Sequence, residues 1–268
     1  MISEKQCAEF KAKGRIPGGL LLSGNEVEEL LRELDSVIAL HDHHQADISL
    51  IGETAAFCRN RGDFLQLTNL WELSDVFRKV VFSPKLVSKA GQLAGVDSLK
   101  IFADSMLCKM GVNLEMNPWH RDGPAFDILT EDDAMAAWIA LDDVDETNGA
   151  MCMIPGSHLW EGVPEKMKKL LKMRDLDPLS PVWKENGIDV EVCRVRKGEV
   201  HFHHGLTWHC SLKNVSGRPR RAWALHYVPG NTHYDAKGGH FWKPLMKNIP
   251  DGGVIEGPHW PTVWRRAA

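Results

Sequence analysis

The feature of this sequence that most constrains its fold is a change in residue pattern near Leu99, after which short apolar runs alternate with turn residues. The runs are LKIFADSML (99–107), AMAAWIALDDV (134–144), GAMCMIP (149–155), IDVEVCRV (188–195), EVHFHHG (199–205) and RRAWALHYV (220–228). Each has the length of a β-strand, and Gly, Pro and Asn lie between the runs. We therefore predict a mainly β core over residues 99–228, folded as a double-sheet jelly roll, with helices packed outside it.

Residues 1–98 show a helical pattern, and we expect this N-terminal part to be largely helical. Between residues 26 and 40, apolar side chains recur at the spacing of an amphipathic helix. Ser23 lies three residues before Glu26, and this capping-box pattern predicts where the helix begins. A second helix is expected over about residues 84–95, because a proline is tolerated in its first turn and a glycine ends it.

Two other segments are expected to be less regular. Residues 160–187, which contain the run KMKKLLKM, are interpreted as an excursion from the core with a short helix. Residues 229–268 are rich in Gly, Pro and Trp and are interpreted as an irregular tail. Hydrophobic residues make up 43% of the chain, which is enough to fill one sizeable core. We predict a single domain over residues 1–268.

Charge and cysteine usage exclude several classes of protein. The 36 acidic and 32 basic residues are mixed along the chain, so we expect no partner among nucleic acids or anionic membranes. No apolar run approaches the roughly 18 residues needed to span a bilayer, and we expect a cytoplasmic protein of unspecified oligomeric state. The cysteines are unpaired in the sequence and are predicted to be reduced thiols. They are Cys7, Cys58, Cys108, Cys152, Cys193 and Cys210.

The segment NPWHRDG contains a candidate pair of metal ligands, His120 and Asp122. Two residues is the repeat of a β-strand, so both side chains can leave the same face of an extended segment. Iron(II) in oxygenases is held by two imidazoles and one carboxylate, which leaves positions open for a co-substrate and O2. An H-x-D pair also arises by chance in polar loops, so the site requires a second imidazole from elsewhere in the chain.

The second imidazole is expected in the run GEVHFHHGLTWHCS. His201 and His203 share one strand face, so periodicity alone would allow either of them. His209 is favoured because Ser211 follows two residues later and Arg220 follows 11 residues later, a separation that one hairpin can span. Another histidine cluster lies at a predicted helix end, where histidines usually contact solvent or the last carbonyls. It consists of His41, His43 and His44.

Arg220 is a candidate anchor for an anionic co-substrate. A buried arginine near a metal needs an anion, and the distal carboxylate of 2-oxoglutarate matches the two parallel N–H groups of a guanidinium. Ser211 is expected on the same strand face as His209, where it could donate a second hydrogen bond to that carboxylate. The competing interpretation is that Arg220 is a solvated strand residue. Its apolar neighbours, Ala222 and Ala224 on one face of the strand, favour the functional role.

Three stretches together resemble the phytanoyl-CoA dioxygenase family. They are WHRD (119–122), the stretch 148–158 with its NG and PGSH motifs, and HCSLKNVSGRPRRAWALHYVP (209–229). The opening FKAKGRIPGGLLLSGNEVEELLREL (10–34) is also similar to the N-terminal region of that family. The resemblance implies a double-stranded β-helix, iron(II) bound at His120, Asp122 and His209, and 2-oxoglutarate anchored at Arg220.

The resemblance extends to two further positions. The family has a tryptophan next to the co-substrate, 18 positions after its first metal histidine, and Trp138 occupies that position here. Gln66 lies where relatives place a polar or basic side chain near 2-oxoglutarate. The glycine that often follows the distal histidine is replaced by Cys210 in this chain, and this departure leaves the ligand set intact.

These residues indicate a non-haem iron(II) dioxygenase that uses 2-oxoglutarate and O2 to oxidise an unactivated C–H bond, with succinate and CO2 as co-products. The alternative is a metal-binding cupin-type hydrolase or a non-catalytic binding protein, and Cys210 near the site would favour zinc in it. A carboxylate with two imidazoles fits iron better. The chain lacks a basic cluster for coenzyme A, and its 10 tryptophans outnumber its 2 tyrosines. We therefore expect a small metabolite or natural product as substrate.

Overall fold

The computed structural model describes residues 2–41, 49–50, 57–60, 64–112, 116–173 and 176–267. The helices are α1 (Glu4–Lys13), α2 (Gly24–His41), α3 (Leu70–Leu73), α4 (Asp75–Val81), α5 (Pro84–Ala94), α6 (Glu165–Leu171) and α7 (Val182–Glu185). The strands are β1 (Arg15–Leu20), β2 (Ser49–Leu50), β3 (Phe57–Asn60), β4 (Phe64–Thr68), β5 (Ser98–Lys109), β6 (Asn117–His120), β7 (Met135–Ala140), β8 (Met151–Met153), β9 (Glu191–Cys193), β10 (Glu199–His204), β11 (His209–Ser211), β12 (Arg220–Pro229) and β13 (Thr262–Arg265).

Within these residues the strands form two antiparallel sheets. The large sheet has the order β1-β10-β7-β12-β5-β4-β3-β2, and β13 pairs with β5. The small sheet has the order β6-β11-β8-β9. One hydrophobic cluster joins the inner faces of both sheets, since it combines residues of β7 and β12 with residues of β8 and β9. Two facing antiparallel sheets with non-consecutive neighbours form a jelly roll, and the predicted fold class is confirmed.

The six predicted strands all exist, as β5, β7, β8, β9, β10 and β12. Both predicted N-terminal helices are confirmed as α2 and α5, and α6 is the short helix expected in the excursion 160–187. The capping box also forms, because the Ser23 backbone N–H donates to Glu26 Oε2 at 2.7 Å and the Glu26 N–H donates to Ser23 Oγ at 3.4 Å.

The N-terminal part is less helical than expected. Strand β1 pairs with β10, and β4 pairs with β5, so this part extends the large sheet as well as covering it. The run RIPGGL gives no strand pattern, because it holds a proline and two glycines. It forms a strand at the edge of the sheet, where proline is tolerated, and its register shifts between Pro17 and Gly19.

Residues 229–268 are irregular but closely packed. Tyr234, Trp242 and Trp260 are buried in a cluster that also contains Phe102 of β5 and Ile128. This cluster, which we call the C-terminal cluster, therefore lies beside the segment that follows the H-x-D motif. The single-domain organisation stays a prediction, and it is supported by strands from both terminal parts that join the large sheet.

Two further expectations concern thiols and membranes. Cys7, Cys108, Cys152, Cys193 and Cys210 are free thiols. Cys58 has no described side chain. No helix in the described ranges is both long and apolar enough to cross a membrane.

Candidate metal centre

His120 and Asp122 meet at the point where a short strand turns. β6 ends at His120, and Asp122 adopts a right-handed helical conformation (φ −74°, ψ −43°) immediately before a 3-10 turn over Gly123–Ala125. The expectation that both side chains leave one extended segment was therefore wrong for Asp122. The turn, and not the two-residue strand repeat, brings its Oδ1 to 3.6 Å from His120 Nε2.

His209 reaches the same point from the neighbouring strand. β11 pairs with β6, and His209 is the cross-strand partner of His120. The two imidazole centroids lie 4.1 Å apart, and His209 Nε2 is 3.5 Å from Asp122 Oδ1. The three ligand atoms all lie within 4.8 Å of one another, so His120, Asp122 and His209 form a group that can hold a metal ion.

Hydrogen bonds set the tautomers of the two imidazoles. His120 Nδ1 is 2.8 Å from the carbonyl oxygen of Pro118, and His209 Nδ1 is 2.9 Å from that of Thr207. A carbonyl oxygen only accepts, so each Nδ1 carries the proton and each Nε2 keeps a free lone pair that a metal beside Asp122 Oδ1 can accept. Metal-binding histidines in proteins are usually held by such a second hydrogen bond.

The electrostatics of the group suit a divalent cation. Burial lowers the pKa of His120 to about 4 and also lowers the pKa of His209, so both rings are neutral at pH 7. Burial raises the pKa of Asp122, but the neighbouring His209, His203 and His226 outweigh this effect and hold that pKa well below its usual value. Neutral imidazoles and an ionised carboxylate are the protonation states that a metal requires.

The other histidines of the run lie in different surroundings. His203 Nε2 is 3.2 Å from Asp122 Oδ2, whereas Oδ1 is the oxygen nearest to His120 and His209. The ring centroids of His203 and His209 lie 4.8 Å apart. His201 is buried, and neither of its ring nitrogens has a hydrogen-bond partner among the described residues. His204 Nδ1 accepts from the Leu206 N–H at 3.1 Å. Helix α2 ends at His41, and the side chains of the HDHH cluster lie outside the described residues.

Cys210 does not approach the metal group. Its side chain lies on the opposite face of β11, in a cluster with Cys152 and Leu212. Burial raises the pKa of this thiol, so it stays protonated and is a poor metal ligand. The observation that favoured zinc in the sequence is therefore removed.

Arg220 and Arg221 face opposite sides of β12. Arg221 is neutralised by Asp142, which accepts from its Nε at 2.9 Å and from its Nη2 at 2.7 Å. Arg220 is 2% exposed, its Nη1 donates to the Leu107 carbonyl at 3.0 Å, and its Nε has no partner within the described part of the chain. Burial lowers the pKa of Arg220 to about 10, so it remains a cation at pH 7. A buried guanidinium with an unpaired N–H is suited to an anionic ligand.

The remaining predicted residues line the interior between the sheets. Ser211 is buried on β11, and its Oγ accepts from the Asn117 N–H at 3.4 Å. Trp138 of β7 is 2% exposed in the cluster that joins both sheets. Gln66 of β4 is half-buried, pairs in register with Leu107 and donates to Ser105 Oγ at 3.3 Å.

Sequence reasoning missed His226. Its Nε2 lies 3.4 Å from Asp122 Oδ2, the carboxylate oxygen that His203 also contacts. The signal was present, because His226 follows Arg220 by an even number of residues on β12 and so shares its face. The ring of Phe126 packs edge-on against His226 with centroids 5.2 Å apart.

Two curated relatives are similar to this chain in sequence. A rice protein, Phytanoyl-CoA dioxygenase 1 (Oryza sativa subsp. japonica), is 27% identical over 291 residues, which cover 95% of this chain and 98% of the relative. The peroxisomal phytanoyl-CoA dioxygenase of Bos taurus is 26% identical over 151 residues, 53% of this chain and 42% of the relative.

Solved structures share the fold. SnoN, a non-heme alpha ketoglutarate dependent epimerase from nogalamycin biosynthesis, has a TM-score of 0.75 at 24% identity, over 98% of this chain and 96% of its own. EctD from S. alaskensis has a TM-score of 0.71 at 22% identity, over 96% of this chain and 89% of its own. The model of the family Phytanoyl-CoA dioxygenase (PhyH) matches residues 13–222, which include every predicted site residue. The chain therefore belongs to the phytanoyl-CoA dioxygenase family.

Proposed function

We propose that this protein is an iron(II)- and 2-oxoglutarate-dependent dioxygenase that oxidises an unactivated C–H bond of a small metabolite or natural product. The observation that carries the proposal is the convergence of His120 Nε2, His209 Nε2 and Asp122 Oδ1, with both imidazole lone pairs aimed at one point. Two imidazoles and one carboxylate leave three positions of an octahedron open, as such oxygenases require.

The interior offers matching groups for 2-oxoglutarate. Arg220 is a buried cation with an unpaired Nε–H, and it can hold the distal carboxylate through parallel hydrogen bonds. Ser211 Oγ already accepts from the Asn117 N–H, so its own proton is left to donate to the same carboxylate. Trp138 and Gln66 line the same interior.

In this proposal the residues bind, orient and exclude water. His120, Asp122 and His209 would hold the metal, and Arg220 and Ser211 would bind the distal carboxylate of the co-substrate and so orient its keto acid end toward the metal. Bound together, iron(II), 2-oxoglutarate and O2 supply the oxidising chemistry, with succinate and CO2 as co-products. The buried surroundings of Asp122 and Arg220 keep bulk water from the reacting groups.

A small metabolite or natural product as substrate is supported by the apolar, aromatic side chains beside His226. Phe126 lies between His226 and Phe102, with ring centroids 5.2 Å and 4.7 Å away, and Trp242 packs against Phe102 at 5.3 Å. Two structural relatives are described with small molecules, SnoN with Fe3+, alpha ketoglutarate and nogalamycin RO, and EctD with 2-oxoglutarate and 5-hydroxyectoine. A cytoplasmic location and the absence of nucleic-acid and membrane partners stay predictions.

The direct test is an anaerobic titration of the purified protein with iron(II) and then with 2-oxoglutarate. We expect one iron per chain, a weak visible charge-transfer band on addition of 2-oxoglutarate, and heat of binding by calorimetry. Glutarate and succinate are the controls. Both are dicarboxylates that lack the keto group, so neither should give the band. If neither the band nor the heat is seen, the co-substrate assignment is wrong.

A further inference from the structure

The two oxygens of Asp122 face different pairs of histidines. Oδ1 lies 3.6 Å from His120 Nε2 and 3.5 Å from His209 Nε2. Oδ2 lies 3.2 Å from His203 Nε2 and 3.4 Å from His226 Nε2. Asp122, His203 and His226 are all buried, so water does not compete for these contacts. Four imidazoles therefore surround one carboxylate, two on each oxygen.

The two pairs must carry their protons on different nitrogens. An ionised carboxylate only accepts hydrogen bonds, so His203 and His226 must donate from Nε2. Their Nδ1 atoms have no partner among the described residues, which agrees with a bare lone pair and not a buried N–H. His120 and His209 are the reverse, because backbone carbonyls hold the proton at Nδ1. His203 and His226 therefore donate hydrogen bonds to Asp122, whereas His120 and His209 can share a metal ion with it.

The register of the large sheet sets the positions of His203 and His226. His203 of β10 and His226 of β12 are both register partners of Ala136, which lies between them on β7. Register partners point to the same face of a sheet, so the three side chains form a row facing the small sheet. The methyl group of Ala136 is the smallest of the three and leaves the space between the two rings in which Asp122 Oδ2 lies.

We propose that His203 and His226 are positioning residues that hold Asp122 as a one-oxygen ligand, an inference that rests on the proposed metal role of Asp122. With Oδ2 engaged by two buried donors, only Oδ1 is free to face the metal. Rotation of the carboxylate to place both oxygens on the metal would break both hydrogen bonds. The pair thus keeps open the position that a second carboxylate oxygen would occupy.

The test compares variants that remove or keep a donor at the Nε2 position. In His203→Leu and His226→Leu the donor is lost, whereas in His203→Gln and His226→Gln the side-chain amide can replace it. We expect each Leu variant to bind iron(II) about 10- to 100-fold more weakly, by competition with a chromogenic chelator, as for other residues that support metal ligands. The Gln variants should recover most of the loss. Cobalt(II) in the Leu variants should show an altered visible spectrum, because the carboxylate can bind through both oxygens.

His201→Leu is the matched control, since His201 is a buried histidine on the same strand face with no hydrogen-bond partner in the described part of the chain. It should bind iron(II) as the unchanged protein does. Equal losses in His201→Leu and His203→Leu would overturn the proposal, and so would Leu variants with unchanged affinity and an unchanged cobalt spectrum.

If a Leu variant does not fold by circular dichroism, Ala136→Val replaces it, because added methyl groups crowd Asp122 Oδ2 and should weaken iron binding. Unchanged affinity in Ala136→Val would also overturn the proposal.

These outcomes are separable from failure of the proposed function. Metal affinity and the cobalt spectrum are measured without 2-oxoglutarate, so they test the positioning role even if the co-substrate assignment is wrong. If the unchanged protein binds neither iron(II) nor cobalt(II), the metal site itself is wrong, and the positioning role falls with it.

Discussion

The two sheets contribute to the candidate site in different ways. β6 has 4 residues and β11 has 3, and a proposed ligand lies at an end of each. β12 has 10 residues and β5 has 12, and the large sheet presents Arg220 and His226 from within its fixed register. The short strands of the small sheet therefore end at proposed metal ligands, next to turns. The long strands of the large sheet hold the side chains that surround the proposed metal. Changes in the first region should remove the metal, and changes in the second should weaken its binding or alter what binds next to it.

The largest effect is expected for Asp122→Ala, which removes the carboxylate that the small-sheet side supplies. Succinate formation should be abolished and iron should be lost, while the fold remains intact because Asp122 lies in a turn and not in a hydrophobic core. Succinate yield, iron stoichiometry and circular dichroism measure the three effects. Retained turnover in this variant would contradict the different roles of the two sheets, because metal binding would then not require the carboxylate in the turn.

His209→Ala should come next, with loss of bound iron. The physical reason is that His209 Nε2 presents its lone pair beside Asp122 Oδ1, 3.5 Å away, whereas the large-sheet histidines do not. Elemental analysis of His209→Ala and His201→Ala, loaded under the same conditions, separates the two sheets. If His209→Ala keeps full iron and His201→Ala loses it, the third ligand has been assigned to the wrong sheet.

Arg220→Ala should weaken 2-oxoglutarate binding without removing iron. Each charge-assisted hydrogen bond contributes about 1.5–3 kcal/mol, and about 1.4 kcal/mol corresponds to a factor of ten, so we expect a loss on the order of 10- to 1,000-fold. Arg220→Lys should recover little, because an ammonium cannot match both carboxylate oxygens.

Arg221→Ala is the control for Arg220, since its guanidinium is already paired with Asp142 on the other face of β12. It should leave the dissociation constant for 2-oxoglutarate unchanged in calorimetry. If Arg221→Ala weakens binding and Arg220→Ala does not, the face of the strand has been assigned wrongly.

The smallest effect is expected in how the stability of the metal-free protein depends on pH. Burial lowers the pKa of His120 from 6.5 to about 4, and it lowers those of His201, His203 and His209 as well. Unfolding then takes up protons, so the stability that these histidines contribute is present above pH 6.5 and is lost as the pH falls toward 4. Burial raises the pKa of Asp104 from 3.8 to about 6, which acts in the opposite direction over the same window.

Because the pKa is lowered at seven of the described histidines and raised at this one carboxyl, we expect the unfolding temperature to fall between pH 6.5 and pH 4. Differential scanning fluorimetry across this range is sufficient, and His201→Leu should make the decline shallower. A constant or rising unfolding temperature toward pH 4 would contradict the assignment of neutral, buried histidines.

Much of the fold could be predicted from the sequence, because apolar runs and turn residues are local signals. The strands of the core and both N-terminal helices followed from such patterns. β1 did not, since a strand containing Pro17 and Gly18 is stabilised by pairing with β10 and not by its own composition. Asp122 was placed on a strand, because the sequence does not show that β6 ends at His120.

The site shows the same limit at the level of side chains. The sequence identified His120, Asp122, His209 and Arg220, and the structure places the first three around one point and Arg220 in the interior. It did not identify His226, because contact with Asp122 depends on how the two sheets face each other. The rule that alternate strand residues share a face, applied from Arg220, would have placed His226 toward the interior.

The C-terminal cluster has a consequence for how the protein folds. Phe126 follows the Asp122 turn and packs on Phe102, which contacts Trp242, so the turn is supported by a segment distant in the sequence. Closing a long loop costs conformational entropy before its contacts form, and such contacts tend to form late in folding. We therefore expect the turn and the C-terminal segment to become ordered in one late step. The metal centre would then be assembled only after the jelly roll has formed, and partially folded chains would not retain iron.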